Sequence, residues 1–438
     1  MAEKGDRGHH ALEDPTLDHI TRTYRERTPG SAARAERCAA VLPGGDFRAA
    51  VGHRPYPLTV ASAAGPWLRD VDGHEYLDLL GNYTALVHGN AHRVIVEAAT
   101  RAIAAGTCWA AANDHMVDLA ELLVERVASV ERVRFCNSGT EATMHAAMVA
   151  REVTGRRTVL MARYGSHGSS DDYEVGTLGH PGPDTAIAPF GDAAAFEAAL
   201  AEHGDEIACV ILEPVLGSSG VVPAPPGFLA RVAEAARAAG SLFILDEVIT
   251  FRLATGGAQA LAGIEPDLTT FGKLIGGGFP VGALGGRADV LGVTDPARGR
   301  LPLSGTFNAN PVTMAAGAAA VRELTGDRIA AIDRWCGRLA DGLTKAAADH
   351  GVAFSCRRAG SLLNMFLSAE APESVAERTD GALMAAFHLA CLNQGLFFAP
   401  RGLLATSTVL SDQLIDTAVD RAARAIADVA SLNKSLSA

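Results

Sequence analysis

Between about residues 76 and 325 short apolar runs alternate with Ala-rich stretches whose apolar positions recur at helical spacing. The runs VRFCNS, TVLMA, ACVILEP, SLFILDEV, DLTTFG and VGALGG have the length and apolar character of buried strands. Strand and helix signals taking turns predict a mostly parallel sheet covered by helices. Each run ends in polar or glycine residues, and in such sheets ligands collect beyond the carboxyl ends of the strands. Functional residues are therefore expected in those loops.

The flanks differ. Residues 1 to about 17 are polar and irregular, an amphipathic stretch follows, and LPGGDFRAAVGHRPYP holds too much Gly and Pro for a long helix. WLRDVDGHEYLDLL alternates apolar and polar positions on both sides of Asp72 and Gly73, the pattern of a hairpin. After about residue 326, helical patterns (RIAAIDRWCGRLADGLTKAAADH, DGALMAAFHLACLNQG, LIDTAVDRAARAIADVASL) carry a few strands between them. The organisation expected is an N-terminal arm with part of a small domain over 1–75, a large α/β domain over 76–325, and the rest of a small α+β domain over 326–438.

Composition narrows the function classes. With 438 residues, 48% hydrophobic and 20% charged, the chain can bury a large core and is too apolar to be disordered. A net charge of -12 without a basic stripe disfavours nucleic acid and anionic membranes as partners. No apolar run approaches the roughly 20 residues that cross a bilayer, and MAEKGDRGHHALEDPT lacks the hydrophobic segment of a signal peptide, so a cytoplasmic location is expected. Seven cysteines without a CxxC pair indicate neither a disulfide framework nor a zinc knuckle.

Two residues stand out chemically. Asp246 closes the run LFILD, where a carboxylate is costly unless something cationic meets it. Lys273 lies in TTFGKLIGGGFPVGA between an apolar run and glycines. Taken singly, Asp246 reads as a cap or salt-bridged strand end and Lys273 as a surface residue. Taken together, they are an amine able to form a Schiff base with an aldehyde and a carboxylate able to keep a pyridine nitrogen protonated. A phosphate cradle is available in CNSGTEATMHAAMVAREV, where Ser138, Gly139 and Thr140 precede a helical pattern. The plainer alternative is that Ser138 caps that helix, with Glu141 completing a capping box. GGGFPVG does not match GxGxxG, and Asp267 stands where a P-loop needs glycine. His88 and His92 lack an acidic third ligand nearby, so no metal site is expected.

NSGTEA, EPV, DEV, FGKLIGGGFPVGA and GTFNANPVTMAAG occur in the order and spacing of class III aminotransferases, which the chain resembles over about residues 40 to 430, in particular the glutamate-1-semialdehyde aminomutase branch. The resemblance implies a large domain with a mostly parallel seven-stranded sheet, a smaller α+β domain from both termini, pyridoxal 5'-phosphate as cofactor, and a homodimer with shared active sites. It makes Lys273 the Schiff-base lysine and acid/base, Asp246 the partner of the pyridinium nitrogen and Val248 the support under the ring. Ser138, Gly139 and Thr140 become the phosphate loop, and Thr306 the residue reaching the neighbouring subunit's phosphate.

Within the branch, Arg48 in LPGGDFR aligns with a carboxylate-binding arginine. The PGGxxR spacing, LGNYTA with Tyr83, and APRG with Arg401 resemble β-amino-acid (β-phenylalanine-type) aminotransferases more than the aminomutase. Two departures are visible. The family's aromatic-His-Gly motif appears as YGSHGSS, with Ser166 at the stacking position beside His167, and Ser218 in EPVLGSSG replaces a glutamate of the ornithine and γ-aminobutyrate subgroup. The activity implied is transfer of an amino group from a β-amino acid or related amine to an α-keto acid by a ping-pong mechanism. The rivals are an aminomutase and a catalytically silent subunit.

Overall fold

The computed structural model describes residues 15–45, 48–170, 173, 182–297 and 300–436. The chain divides into two compact units, one of residues 84–331 and one combining 1–83 with 332–438.

The 84–331 unit is built on a seven-stranded sheet. Its order is Arg132–Cys136, Gly282–Gly286, Leu268–Gly272, Leu242–Asp246, Ile207–Leu212, Thr158–Ala162 and Thr185–Ala188. Only Gly282–Gly286 runs antiparallel to its neighbours. All six apolar runs are strands. The seventh, TAIA, is too short to carry a recognisable pattern of its own.

Successive strand residues point to opposite faces. Ile211 and Ile244 pack against Ala146, Ala147, Val149 and Ala150 of helix Gly139–Thr154. Their neighbours Val210, Leu212, Phe243 and Leu245 pack with Phe196 and Leu200 of helix Ala193–His203 and with Phe228, Leu229 and Val232 of helix Phe228–Ala238. Both faces are covered, which is why these strands read as unbroken apolar runs rather than as alternations.

In the other unit, Trp67–Asp70 pairs antiparallel with Glu75–Asp78, the hairpin expected around Asp72–Gly73, and Val60–Ala64 and Leu396–Phe397 extend that sheet. Ser355–Ala359, Leu362–Phe366 and Leu403–Ala405 form a second, antiparallel sheet. Their shared core takes in Ile20 and Tyr24 of helix Pro15–Arg27, Cys336, Leu339 and Leu343 of helix Gly326–Asp349, and Ile415, Ala422 and Ile426 of helix Asp412–Leu436. The helix at Pro15 begins inside the stretch the sequence marks as irregular. Among the described residues no helix is long and apolar enough to cross a membrane.

Candidate active site

Asp246, Glu213, Lys273 and Ser138 all lie at or just beyond strand ends of the seven-stranded sheet. Lys273 follows Leu268–Gly272 with φ of 47°, a left-handed backbone that a non-glycine residue adopts only when its surroundings impose it. A Cβ on Gly272 would lie 3.2 Å from Val248 Cγ1, and one on Gly139 would lie 3.1 Å from the same methyl. The Val248 side chain is thus wedged between the start of the helix Gly139–Thr154 and the residue preceding Lys273. Three positions far apart in sequence, Gly139, Val248 and Gly272, converge there.

Asp246 is 4% exposed. Its Oδ1 accepts hydrogen bonds from Val248 N and Thr270 Oγ1, both at 3.0 Å, and its Oδ2 accepts from His167 Nδ1 at 2.8 Å. Three donors on a carboxylate that accepts about four leave room for one more. A pyridinium N–H is a donor of the right charge for that position, so this buried acid fits the cofactor's ring nitrogen.

Ser138 sits in extended backbone and its Oγ accepts from Glu141 N at 3.1 Å, so it does cap the helix. The Glu141 carboxylate closes on Asn137 instead of Ser138, accepting from Asn137 N at 2.6 Å. The first-turn amides at 139 and 140 have no acceptor within the helix, as at any helix start, which makes them available to a phosphate. A Cβ on Gly282 would fall 1.9 Å from Ser138 O, so the absence of a side chain at 282 is what lets the cap sit where it does. Capping and phosphate cradling are compatible here.

The segment 164–169 crosses this helix start. Gly168 has φ of 105°, and a Cβ on it would meet Thr140 Oγ1 at 2.5 Å. Ser166 is exposed, and its backbone N–H donates to Glu213 Oε2 at 2.9 Å. The fully buried His167 side chain lies on Asp246, so this residue reaches a ligand through the acid. Burial works against the charge of His167, but the hydrogen bond and charge of Asp246, joined by the charge of Glu213, raise it above its ordinary value. Glu213, also buried, is pushed up to about 7, chiefly by burial. Sequence reasoning did not single out Glu213 or Thr270. The signal for Glu213 was present, since it closes ACVIL as Asp246 closes LFIL.

Thr306 is not gathered into this cluster. It is exposed, beside Phe307 at 60% exposure, in a loop held by Asn137 Nδ2 donating to Asn308 Oδ1 and Asn113 Nδ2 donating to Ala309 O.

The remaining expected residues meet in the other unit. Tyr83 lies under two guanidinium groups, with Arg48 Cζ at 4.6 Å and Arg401 Cζ at 5.2 Å from its ring centre. Arg48 Nη1 also donates to Asn82 Oδ1 at 2.9 Å. Burial pulls Arg401 below its ordinary pKa, Tyr83 opposes that shift and the charge of Arg48 adds to it. Its Nε is buried without a hydrogen-bond partner among the described residues. An anion would meet both that donor and the charge of the guanidinium.

The profile of the aminotransferase class-III family matches residues 48–426. The chain belongs to the class III aminotransferases. It is 39% identical to a glutamate-1-semialdehyde 2,1-aminomutase from Rhodopirellula baltica, covering 84% of this chain and 89% of that one, and 38% identical to a beta-phenylalanine transaminase from Variovorax paradoxus, covering 93% and 95%. Its structure resembles that of an omega-transaminase from Sphaerobacter thermophilus with a TM-score of 0.87 and 39% identity over 93% of this chain and 99% of that one. As a class III aminotransferase it is a transferase that depends on pyridoxal phosphate, and its α/β fold is that of the family.

Proposed function

We propose that this class III enzyme moves an amino group from a β-amino acid to an α-keto acid in two half-reactions at one site. The observation that carries the substrate class is the pair Arg48 and Arg401 around Tyr83, with the Arg401 Nε buried and without a hydrogen-bond partner among the described residues. Both a β-amino acid and a keto acid bring a carboxylate that can bind a guanidinium in bidentate fashion. The similarity to the Variovorax paradoxus enzyme, named for β-phenylalanine, supports the donor assignment.

In this reading Lys273 holds the cofactor and moves the substrate proton. The cofactor, when bound, supplies a cationic ring that stabilises negative charge on the substrate carbon. Asp246 keeps the ring nitrogen protonated, Val248 supports the ring, and Ser138, Gly139 and Thr140 bind the phosphate. Thr306 serves the site of a second copy, which would cover Phe307 and the exposed Trp109.

Incubating the cofactor-loaded enzyme with a β-amino acid, with and without pyruvate or 2-oxoglutarate, tests the reaction class. Sustained turnover only with the keto acid is the expected result. No turnover of the β-amino acid, together with isomerisation of the amino aldehyde glutamate-1-semialdehyde without any added acceptor, would establish the aminomutase reading, which the Rhodopirellula baltica relative favours. Borohydride reduction followed by peptide mapping should place the cofactor on Lys273.

A further inference from the structure

Three adjacent parallel strands, Thr158–Ala162, Ile207–Leu212 and Leu242–Asp246, each lead to a buried ionisable residue: His167, Glu213 and Asp246. Leu212 pairs with Leu245 and Ile211 with Ile244, so Glu213 and Asp246 follow at one level. Both continue the sheet face on which Ile211 and Ile244 lie. Adjacent strands are separated by about 4.8 Å, so two buried acids stand side by side. That arrangement is costly unless a cation sits with them.

His167, whose pKa is raised by Asp246 and Glu213 against its own burial, can supply that cation. Its Nδ1 donates to Asp246 Oδ2 at 2.8 Å, its ring packs edge-on to Tyr173 at 5.6 Å, and its Nε2 is buried without a hydrogen-bond partner among the described residues. Glu213 is itself fixed by two backbone donors, Ser166 N at 2.9 Å and Gly217 N at 3.2 Å. Through Ser166 it therefore holds the residue immediately before His167. Tyr173 donates its hydroxyl to Thr143 O.

We propose that Glu213 is a positioning residue for the cofactor's ring nitrogen: it pins His167 onto Asp246 and supplies the second negative charge that keeps the imidazole protonated. The charge count explains why it is needed. Burial raises the pKa of Glu213 and the charge of His167 opposes that rise. With both acids ionised, Asp246 and Glu213 are two negative charges and His167 with a protonated ring nitrogen would be two positive ones, so that state of the buried cluster is neutral when loaded. Without the charge of Glu213 the loaded cluster is positive by one, and a proton leaves His167 or the ring. This inference rests on the cofactor reading of the site.

The test is nitrogen NMR of His167 in protein with isotope-labelled histidine, assigned by the loss of one signal in His167→Gln, with and without cofactor. In the native enzyme His167 should remain imidazolium across neutral pH in both states. In Glu213→Gln its titration should move down by about one pH unit or more, as expected for removing a nearby charge. kcat should fall while KM for the carboxylate substrate holds. A neutral His167 in the native enzyme at pH 7 would overturn the proposal, and that measurement requires no variant to fold. An unshifted titration in Glu213→Gln would overturn it too. Failure of the cofactor to attach at Lys273 would instead sink the reading of the site, and borohydride mapping on the same native sample separates the two.

Discussion

Replacing Gly282 by alanine probes the construction of the phosphate loop at its tightest point. The new Cβ would lie 1.9 Å from Ser138 O, 2.6 Å from Ser138 C and 2.7 Å from Cys136 Sγ. An ordinary contact is at least about 3.4 Å, so the 138 carbonyl or strand Gly282–Gly286 must shift by more than about 1 Å. Neither moves freely: Gly282 pairs with Cys136 in the sheet, and Ser138 O receives the N–H of Ala142 in the first helical turn. Overpacking of this kind costs about 1–3 kcal/mol and occasionally more, which for a unit of this size lowers Tm by about 2–4 °C per kcal/mol. Tilting the helix start should also misdirect an amide that binds phosphate. Loss of one charge-assisted hydrogen bond, about 1.5–3 kcal/mol, raises the cofactor Kd by about 10–100-fold. Differential scanning calorimetry of the apoprotein and cofactor titration followed by absorbance measure the two effects. Gly326→Ala, where a Cβ meets nothing within 4 Å, is the control. Native Tm and native cofactor affinity in Gly282→Ala would refute the reasoning.

Other perturbations report on other parts of the site. Asp246→Asn should leave the cofactor covalently bound but reduce turnover by about 10²–10³-fold, read as kcat on a sample whose cofactor content is measured. Arg401→Met keeps much of the side-chain packing but removes the charge. KM for a keto acid should rise about 10–100-fold, while reaction with an amine lacking a carboxylate is unchanged. His88 is 1% exposed, its Nε2 is bonded to Ala320 O, and burial pulls it down to about 4. Because the unfolded chain takes up its proton near pH 6.5 and the folded chain does not, stability contributed by His88 is present above pH 6.5 and is lost as pH falls toward 4. The loss is about 3 kcal/mol at about 1.4 kcal/mol per unit. Urea unfolding at pH 7.5 and 4.5 should show a smaller acid loss in His88→Gln than in the native protein.

What the sequence determined is local and periodic. Six short, largely apolar runs announced six strands of the large sheet, most plainly Ile207–Leu212 and Leu242–Asp246, where burial on both faces favours an unbroken apolar run, and the Asp72–Gly73 turn announced its hairpin. Asp246 and Lys273 were legible because an acid ending a core strand and a lysine before a run of glycines each need a partner. Thr185–Ala188 was not legible, since four residues hold too little pattern to distinguish a strand from a loop.

Only the tertiary structure decided which side chains share an environment. Glu213 ends an apolar run just as Asp246 does, yet its meaning comes from strand register, which places it level with Asp246, and from the hydrogen bond it accepts from Ser166 N, next to His167. Val248 became a wedge only when the positions of Gly139 and Gly272 were known. Arg48, Tyr83 and Arg401 gather because a chain segment and a distant turn pack within one unit, and distances between residues hundreds of positions apart are set by packing, which periodicity does not encode.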